Sequence, residues 1–83
     1  MYFVYILRSQ STGRYYVGQT DNLEQRLKRH NSNLVRATKG FAPWELVHFE
    51  EYETRSEAMK REKEIKNKKS RKYIEKLIAE KTE

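Results

Sequence analysis

Two short runs near the N-terminus, residues 2–7 and 15–20, constrain the fold of this chain more than any other feature. Both are dense in aromatic and β-branched residues, and a polar stretch separates them, so we predict a β-hairpin. An even number of loop residues would place Tyr5 and Tyr16 on one face of the sheet, and an odd number would separate them. Gly18 interrupts the second strand, and a strand glycine often marks the close approach of a ligand or another backbone. Strand tyrosines are also ordinary packing residues, so the hairpin alone indicates no function.

The length and charge of the chain limit what it can be. We predict a single domain over residues 1–83, because this length supports only one small core. With 18 Lys and Arg against 12 Asp and Glu, the net charge is +6, which favours a polyanionic partner such as nucleic acid. The apolar run at residues 2–7 is too short to span a membrane and lacks the basic segment of a signal peptide, and the chain contains no cysteine. We therefore expect a soluble, cytoplasmic protein without a membrane partner.

Capping patterns predict three helices after the hairpin. The residues expected to cap them are Asp21, Thr54 and Ser70. The first helix should run to about His30 and the second to about Lys68, and the imperfect alternation of residues 44–52 predicts a third strand between them. The predicted fold is therefore α/β of the α+β type, a three-stranded antiparallel sheet flanked by helices in the order β-β-α-β-α-α.

Polar residues fall on or beside the apolar faces of two predicted helices. At about 100° per residue, Arg26 and His30 lie close to the core-facing arc of the first helix. In the second helix, Glu62 falls between Met59 and Ile65, in the middle of the predicted buried stripe. An ionised carboxylate is costly to bury unless it is paired or bound to a metal. The alternative is a glutamate bent to the rim of the helix and paired with a nearby lysine.

These residues fall within motifs that resemble those of the GIY-YIG nuclease superfamily. Phe3-Val4-Tyr5 stands in the place of Gly-Ile-Tyr, and Tyr16-Val17-Gly18 stands in the place of Tyr-Ile-Gly. The later motifs that match are Gln19 to Leu23, Arg26-Leu27, His30-Asn31 and Ser56 to Lys66. The chain resembles in particular the small single-domain members, which are similar to the N-terminal nuclease domain of the bacterial excision-repair endonuclease. The replacement of Gly-Ile by Phe3-Val4 is the clearest departure from the pattern.

The resemblance implies catalytic roles. Tyr5 would deprotonate or orient the attacking water, His30 would assist it, and Tyr16 would form a hydrogen bond within the site. Arg26 would neutralise the scissile phosphate, and Glu62 would hold a single Mg²⁺ or Mn²⁺ ion, which keeps several waters when one carboxylate binds it. Because the pKa of an ordinary tyrosine is near 10, positive charge from Arg26 and the metal is expected to favour the phenolate.

Further residues are expected to contact the substrate. Gly18 would leave room for it, and Lys66, one turn after Glu62, would add positive charge. Basic residues are crowded between residues 60 and 76, and those predicted to contact phosphates are Lys68, Lys69 and Lys72. The alternative is an ordinary solvated helix face. Some members of the superfamily carry a late active-site asparagine, and the alignment of Asn67 with it stays open.

The function that these features predict is a metal-dependent endonuclease that hydrolyses DNA, selects DNA structure and acts in DNA repair or processing. We expect low intrinsic specificity or a partner protein that supplies it. Two alternatives stay open: a nucleic-acid-binding module with an idle or degenerate nuclease site, and a protein-interaction domain whose basic helices contact acidic surfaces. Mg²⁺-dependent cleavage that disappears when Glu62 is changed would distinguish the nuclease from both.

Overall fold

The sheet is built from the N-terminal hairpin and one later strand. The computed structural model describes residues 1–81, the last of them by its backbone alone. Strand β1 (Tyr2–Ser9) pairs antiparallel with β2 (Tyr15–Thr20) on one side and with β3 (Trp44–Tyr52) on the other, which gives the order β2-β1-β3. The predicted three-stranded antiparallel sheet is confirmed.

The register of the hairpin places two tyrosines on the same face of the sheet. Tyr5 lies opposite Gly18, two residues beyond Tyr16 on the partner strand. The last pair of the hairpin is Arg8 with Tyr15, so the connection between paired residues, 9–14, is even in length. Directly opposed residues share a face, so Tyr5 and Tyr16 project from the same side. The central strand is buried from Val4 to Leu7, as expected of a strand that is covered on both faces.

Three α-helices and one short 3-10 helix complete the fold over the described residues. Helix α1 (Leu23–Asn31) follows the hairpin, a short 3-10 helix (Arg36–Thr38) lies in the next connection, and α2 (Arg55–Lys68) and α3 (Arg71–Lys81) follow β3. The predicted order β-β-α-β-α-α is confirmed. Within residues 1–81, no helix combines the length and the apolarity needed to cross a bilayer.

The predicted caps of the last two helices are confirmed. Thr54 forms a reciprocal capping box with Glu57 at the start of α2. At the start of α3, the Ser70 hydroxyl oxygen accepts the Tyr73 backbone N–H at 3.2 Å. Both caps satisfy backbone donors that have no partner within the helix.

The predicted cap of α1 is wrong by one residue. Asn22, and not Asp21, is the cap, because its side-chain oxygen accepts the Gln25 backbone N–H at 3.0 Å. The Asn22 backbone N–H donates to the Thr20 hydroxyl oxygen at 3.1 Å. This local bond carries the chain through Asp21 and leaves Asn22 as the last extended residue before the helix.

The sheet separates two layers of apolar side chains. On one face, α2 and α3 cover a core cluster of Val4, Ile6, Val17, Ala58 and Ile65. On the other face, α1 and the connection after it cover a cluster of Tyr5, Leu7 and Trp44. Since a phenol belongs to the second cluster, this face must supply a hydrogen-bond partner within the core.

Candidate active site

A hydrogen-bonded chain of three side chains lies on the face that carries Tyr5. The Tyr5 hydroxyl lies 2.9 Å from His30 Nε2, and His30 Nδ1 lies 2.7 Å from Thr38 Oγ1. Thr38 donates its own proton to the Val35 carbonyl at 3.3 Å, so its oxygen is left to accept from His30 Nδ1–H. His30 Nε2 is then unprotonated and accepts the Tyr5 proton. The imidazole is therefore held in one tautomer, as an acceptor toward the tyrosine.

Burial keeps this imidazole neutral. His30 has no exposed surface, which confirms the helical periodicity that placed it beside the core. Burial, followed by the charges of Arg26 and Arg29, lowers the pKa of His30 to about 4. The neutral imidazole directs one lone pair at the phenol and so accepts its hydrogen bond, although the lowered pKa makes it a weaker base than an ordinary histidine.

Without a bound metal, the surroundings of Tyr5 favour the phenol over the phenolate. Burial raises the pKa of Tyr5 above its usual range, Tyr16 and Glu62 raise it further, and Arg26 opposes them only in part. Tyr5 lies in the packed centre of the sheet with 3% of its surface exposed, where a phenolate is poorly solvated. The expectation of a phenolate also relied on the charge of a bound metal, so a phenolate in the metal-loaded site stays a prediction. Burial, more than neighbouring charge, therefore favours a protonated Tyr5 that donates to His30.

Tyr16 and Gly18 shape the space around Tyr5. The Tyr16 ring centroid lies 5.0 Å from that of His30 and 6.3 Å from that of Tyr5. Within residues 1–81 the Tyr16 hydroxyl has no hydrogen-bond partner, so its role as a hydrogen-bonding group stays a prediction. A Cβ atom at Gly18 would lie 2.5 Å from the Tyr5 hydroxyl oxygen and 3.0 Å from the Tyr16 ring. The two tyrosines therefore fill the space left by the missing side chain of Gly18. This differs from our expectation that Gly18 leaves room for substrate.

Arg26 acts on the same site from α1. Its charge lowers the pKa of both Tyr5 and His30, which requires that it lie near both. The side chain is half-buried, and in the described part of the chain it forms no salt bridge. A guanidinium without a counter-ion beside a proton-transfer chain is a ready partner for a phosphate group.

Glu62 reaches the site from the opposite face of the sheet. Helix α2 packs on the face away from Tyr5, yet the Lys66 ammonium lies 5.9 Å from the Tyr16 ring, and the Glu62 carboxylate contributes to the raised pKa of Tyr5. Both side chains therefore extend past the edge strand β2. Glu62 Oε2 lies 2.9 Å from Lys66 Nζ, with the side chains 21% and 51% exposed.

The predicted burial of Glu62 in the middle of the apolar stripe is wrong. Ala58 and Ile65 are buried, whereas Met59 is 51% exposed. The buried stripe of α2 therefore runs through Ala58 and Ile65, which are seven residues apart, and Glu62 lies at the rim of this stripe. The alternative that we considered, a rim glutamate paired with a lysine, is the observed arrangement.

The residues around Glu62 suit one hard cation without forming a ready-made metal cage. Glu62 and Asn67 line a surface groove of about 320 Å³ together with Met59, Lys63 and Lys66. Among residues 1–81, no three His, Cys, Asp or Glu side chains are grouped so as to hold a metal. Mg²⁺ is often held by only one or two carboxylates, with water and phosphate oxygens as its other ligands, so the Glu62 donor fits it. The Lys66 ammonium, 2.9 Å from Glu62 Oε2, would oppose a cation at this carboxylate by charge repulsion.

The lysines predicted to bind phosphate lie at the end of α2, in the turn after it and at the start of α3. Lys66 contacts the site itself, and Lys69 lines a second groove that also includes Lys66. Lys68 lies 5.4 Å from the Tyr73 ring centroid, and Lys72 is exposed on α3. No hydrogen bond or ion pair described for residues 1–81 joins Lys68 or Lys72 to the residues of the candidate site.

Thr38 and Asn31 complete the site in ways that the sequence did not predict. Thr38 is fully buried, and its carbonyl accepts the Trp44 Nε1–H at 3.3 Å. Asn31 accepts the Trp44 backbone N–H and donates to the Trp44 carbonyl at 3.2 Å. These bonds anchor the connection between α1 and β3 and so hold Thr38 beside His30. Thr38 lies in a polar stretch without periodicity, where only its residue type could have drawn attention.

Comparisons with known proteins agree with the motifs. The family model of the GIY-YIG catalytic domain matches residues 1–75. A UPF0213 protein of Natronomonas pharaonis is 40% identical over 82 residues, which cover 98% of this chain and 94% of the relative. A UPF0213 protein of Clostridium perfringens is 43% identical over 67 residues, which cover 80% of this chain and 71% of the relative. The solution NMR structure of a UPF0213 protein from Bacillus halodurans is 34% identical, with a TM-score of 0.59 over 95% of this chain and 84% of that chain.

Proposed function

The chain belongs to the GIY-YIG family of nucleases, and from this premise we propose that it is a metal-dependent endonuclease that hydrolyses DNA phosphodiester bonds. The observation that carries the proposal is the chain of hydrogen bonds from Tyr5 through His30 to Thr38, on which the charges of Arg26 and Glu62 converge. A proton acceptor, an unpaired guanidinium and a carboxylate are the groups that phosphodiester hydrolysis requires.

In the proposed reaction, a water molecule attacks phosphorus while Tyr5 and His30 remove its proton. The water proton passes to the Tyr5 oxygen as the Tyr5 proton passes to His30 Nε2, and the resulting imidazolium keeps its Nδ1–H on Thr38. The phosphorus–oxygen bond to the leaving strand breaks, and the leaving oxygen takes a proton from solvent. The raised pKa of Tyr5 supports a relay role, in which the phenol passes a proton on without existing as a free phenolate.

The charged residues have separate proposed roles. Arg26 would pair with the non-bridging oxygens of the scissile phosphate, where developing negative charge strengthens the contact. Glu62 would hold Mg²⁺ or Mn²⁺ once the Lys66 ammonium moves from the carboxylate to a phosphate oxygen. When bound, such a cation polarises the phosphoryl group and stabilises the leaving oxygen.

We also propose a class of natural substrate. GIY-YIG nucleases act on DNA, and the net charge of +6 suits a polyanion. We assign the protein to structured DNA intermediates of repair or processing in the cytoplasm because its motifs resemble the excision-repair nuclease domain. A partner protein would supply any further specificity.

The second candidate function is a nucleic-acid-binding module with an idle nuclease site. Two observations favour it: the Glu62 carboxylate is paired with Lys66, and the pKa of Tyr5 is raised. Both features oppose catalysis unless substrate and cation reorganise the site.

Single-turnover cleavage of end-labelled DNA distinguishes these functions. The panel would contain single-stranded, duplex, flapped and branched DNA, each with Mg²⁺, Mn²⁺ or EDTA. Wild-type protein should cleave only with a divalent cation, and Glu62→Gln should not cleave. Glu24→Gln is the matched control, because Glu24 also pairs with a lysine four residues later, at 3.8 Å. Binding without cleavage of any substrate would support the idle site instead.

A further inference from the structure

A second groove adjoins the candidate active site along the edge strand β2 and the start of α3. Its volume is about 340 Å³, and its apolar floor is formed by Val17, Ile65 and Ile74. Lys66 lines this groove and also lines the groove that contains Glu62. The two grooves are therefore neighbours that share one cationic wall.

The charged residues that line this second groove are all positive. They are Arg14, Lys66, Lys69 and Arg71, and each of these side chains is exposed. Among the lining residues that the structure describes, none is acidic. Two of the cations have carboxylate partners beyond the groove lining, Lys66 with Glu62 and Arg71 with Glu75. Exposed cations around an apolar floor match a polyanion that also carries apolar planar groups.

Two of these cations are guanidinium groups stacked on aromatic rings. The Arg71 guanidinium carbon lies 4.8 Å from the Tyr15 ring centroid, and the Arg14 guanidinium carbon lies 4.5 Å from the Phe41 ring centroid. Stacking leaves the in-plane N–H donors available for phosphate, and nucleic-acid bases stack on guanidinium planes as they do on aromatic rings. The groove thus offers partners for both parts of a nucleotide.

The position of Tyr15 connects the groove to the candidate site. Tyr15 precedes Tyr16 in β2, so the two rings lie on opposite faces of the sheet. Tyr15 packs beside the core under α2 and α3, whereas Tyr16 packs beside Tyr5. Lys66 approaches the Tyr16 ring and also lines the groove of Tyr15, so a strand held in the groove would pass the edge of β2 toward the site.

We propose that this groove, defined by Arg14, Tyr15, Lys66, Lys69 and Arg71, binds a single-stranded segment of nucleic acid that leads into the candidate active site. A duplex keeps its bases stacked inside and presents mainly its backbone to a protein surface. An unpaired strand can place bases on the apolar floor and on the guanidinium faces while its phosphates contact the cations. This proposal adds a class of substrate to the proposed nuclease function. It rests on that function only for the cleavage of the bound strand, because binding itself needs no cleavage.

Binding measured without cleavage tests the groove. In a Glu62→Gln background with EDTA, fluorescence anisotropy would compare one sequence as single-stranded DNA, single-stranded RNA and blunt duplex DNA. Lys69→Ala combined with Arg71→Ala should weaken single-strand binding at least about 10-fold. The slope of log affinity against log salt should become shallower by about 0.7 per lost contact. Duplex binding should weaken much less.

A control pair with the same charge change isolates the groove. Lys60→Ala combined with Lys76→Ala removes two exposed cations that do not line it, and should weaken single-strand binding far less than the groove pair. Arg71→Lys keeps the charge and removes the planar group, so single-strand binding should still fall about 3- to 10-fold. Circular dichroism would verify that every variant is folded.

The outcomes separate the groove from the nuclease site. Equal losses in the groove pair and the control pair, or a larger loss on duplex than on single strand, would overturn the proposal. Losses on both DNA and RNA support a site that contacts bases and phosphates, and a loss on one polymer alone supports the proposal and identifies that polymer as the ligand. If the groove variants behave as expected while wild-type protein cleaves nothing with Mg²⁺ or Mn²⁺, the proposed nuclease function fails and the groove stands.

Discussion

Each face of the sheet carries a cluster of polar side chains in or near the core. The two clusters differ in how their polar groups are satisfied. Beneath α1, the chain from Tyr5 through His30 to Thr38 consists of neutral groups joined by hydrogen bonds. Beneath α2 and α3, the Glu50 carboxylate is held by the Arg61 guanidinium, with contacts of 2.8 and 3.1 Å. We call the first cluster the neutral chain, because its members carry no charge. We call the second the ionic cluster, because its opposite charges are paired.

The ionic cluster extends over several hydrogen bonds. His48 Nε2 and the Tyr52 hydroxyl donate to Glu50 at 2.9 and 2.7 Å, and Arg61 also contacts Glu64 and the Tyr73 hydroxyl. Burial disfavours the Glu50 carboxylate, yet the hydrogen bonds from Arg61, His48 and Tyr52 outweigh it and lower the pKa of Glu50 to about 2. This balance of charge is typical of a structural anchor, here between β3, α2 and α3.

The neutral chain lacks this balance. The pKa of His30 is lowered by burial and by neighbouring arginines, and among residues 1–81 no carboxylate is hydrogen-bonded to it. Arg26 stays without a salt-bridge partner in the described part of the chain. Perturbed protonation combined with an unpaired cation marks a functional site more often than a structural one. The proposed proton transfer therefore belongs to the face of Tyr5, whereas the Glu50–Arg61 pair anchors the elements on the opposite face.

The largest expected effect is a loss of cleavage when the neutral chain is broken. Tyr5→Phe removes the proton relay and Arg26→Ala removes the unpaired guanidinium, so each should slow single-turnover cleavage at least about 100-fold. Tyr52→Phe is the matched control, because it removes a tyrosine hydroxyl from the ionic cluster. It should cleave at close to the wild-type rate. Near-wild-type cleavage by both Tyr5→Phe and Arg26→Ala, with folding intact, would exclude the proposed mechanism.

The next effect is a loss of stability when the ionic cluster is broken. Arg61→Leu leaves Glu50 without its main partner at a position where both side chains are 19% exposed. We expect the free energy of unfolding to fall by about 2–3 kcal/mol, whereas Thr38→Val, which removes one neutral hydroxyl, should cost about 1 kcal/mol. Urea denaturation at pH 7 measures both. Equal losses in the two variants would contradict the contrast between the clusters.

As the pH falls, the free energy of unfolding should decrease in two pH ranges, one for each cluster. Burial lowers the pKa of His30 from 6.5 to about 4, so the unfolded chain binds a proton first, and this contribution to stability is lost between pH 6.5 and 4. The hydrogen bonds of Glu50 overcome its burial and lower its pKa from 4.5 to about 2, so its contribution is present above pH 4.5 and lost between pH 4.5 and 2. Both losses have the same sign, and both occur as the pH falls.

Variants assign each window to its residue. The free energy of unfolding, measured by urea denaturation from about pH 2 to 8, should depend less on pH above 4.5 in His30→Gln and less on pH below 4.5 in Glu50→Gln. A His30→Gln profile that runs parallel to wild type from pH 6.5 to 4 would show that His30 titrates alike in the folded and unfolded chains.

Much of the fold and part of the site could be predicted because they depend on local patterns. Strand composition predicted β1 and β2, and helical periodicity predicted that His30 faces the core. The same reasoning misplaced Glu62, because α2 is mostly charged and Met59, one of few apolar residues that defined its stripe, is exposed. A stripe defined by so few residues has an uncertain centre.

The remaining features depend on contacts between distant segments. Glu50 and Arg61 lie on different elements, and no periodicity links them. Thr38 reaches His30 only because Asn31 and Trp44 anchor an irregular connection. The protonated state of Tyr5 follows from the depth of its burial, which motif spacing does not report. Contacts between distant segments and the degree of burial of polar groups could therefore not be predicted from local sequence patterns.

The smallest expected effect is on stability at Glu62, where the effect on cleavage should be large. Its pair with Lys66 spans one helical turn with side chains 21% and 51% exposed, and exposed pairs of this type contribute about 0.3–0.5 kcal/mol. Glu62→Gln should therefore change the free energy of unfolding by less than about 1 kcal/mol in EDTA, while Mg²⁺-dependent cleavage disappears. Glu24→Gln, at a pair with side chains 85% and 76% exposed, should change neither property.

Lys66 provides the sharper test, because the ammonium and a cation would compete for the same carboxylate. A ligand that binds only the folded chain raises its stability, so Mg²⁺ should raise the melting temperature of wild-type protein and not that of Glu62→Gln. Lys66→Ala frees the carboxylate and should lower the Mg²⁺ concentration needed for half of this rise, even though the same variant loses a substrate contact and cleaves more slowly. An unchanged or higher Mg²⁺ requirement in Lys66→Ala would mean that the ion pair does not guard a metal site. A loss above about 3 kcal/mol in Glu62→Gln would instead make the pair a structural one.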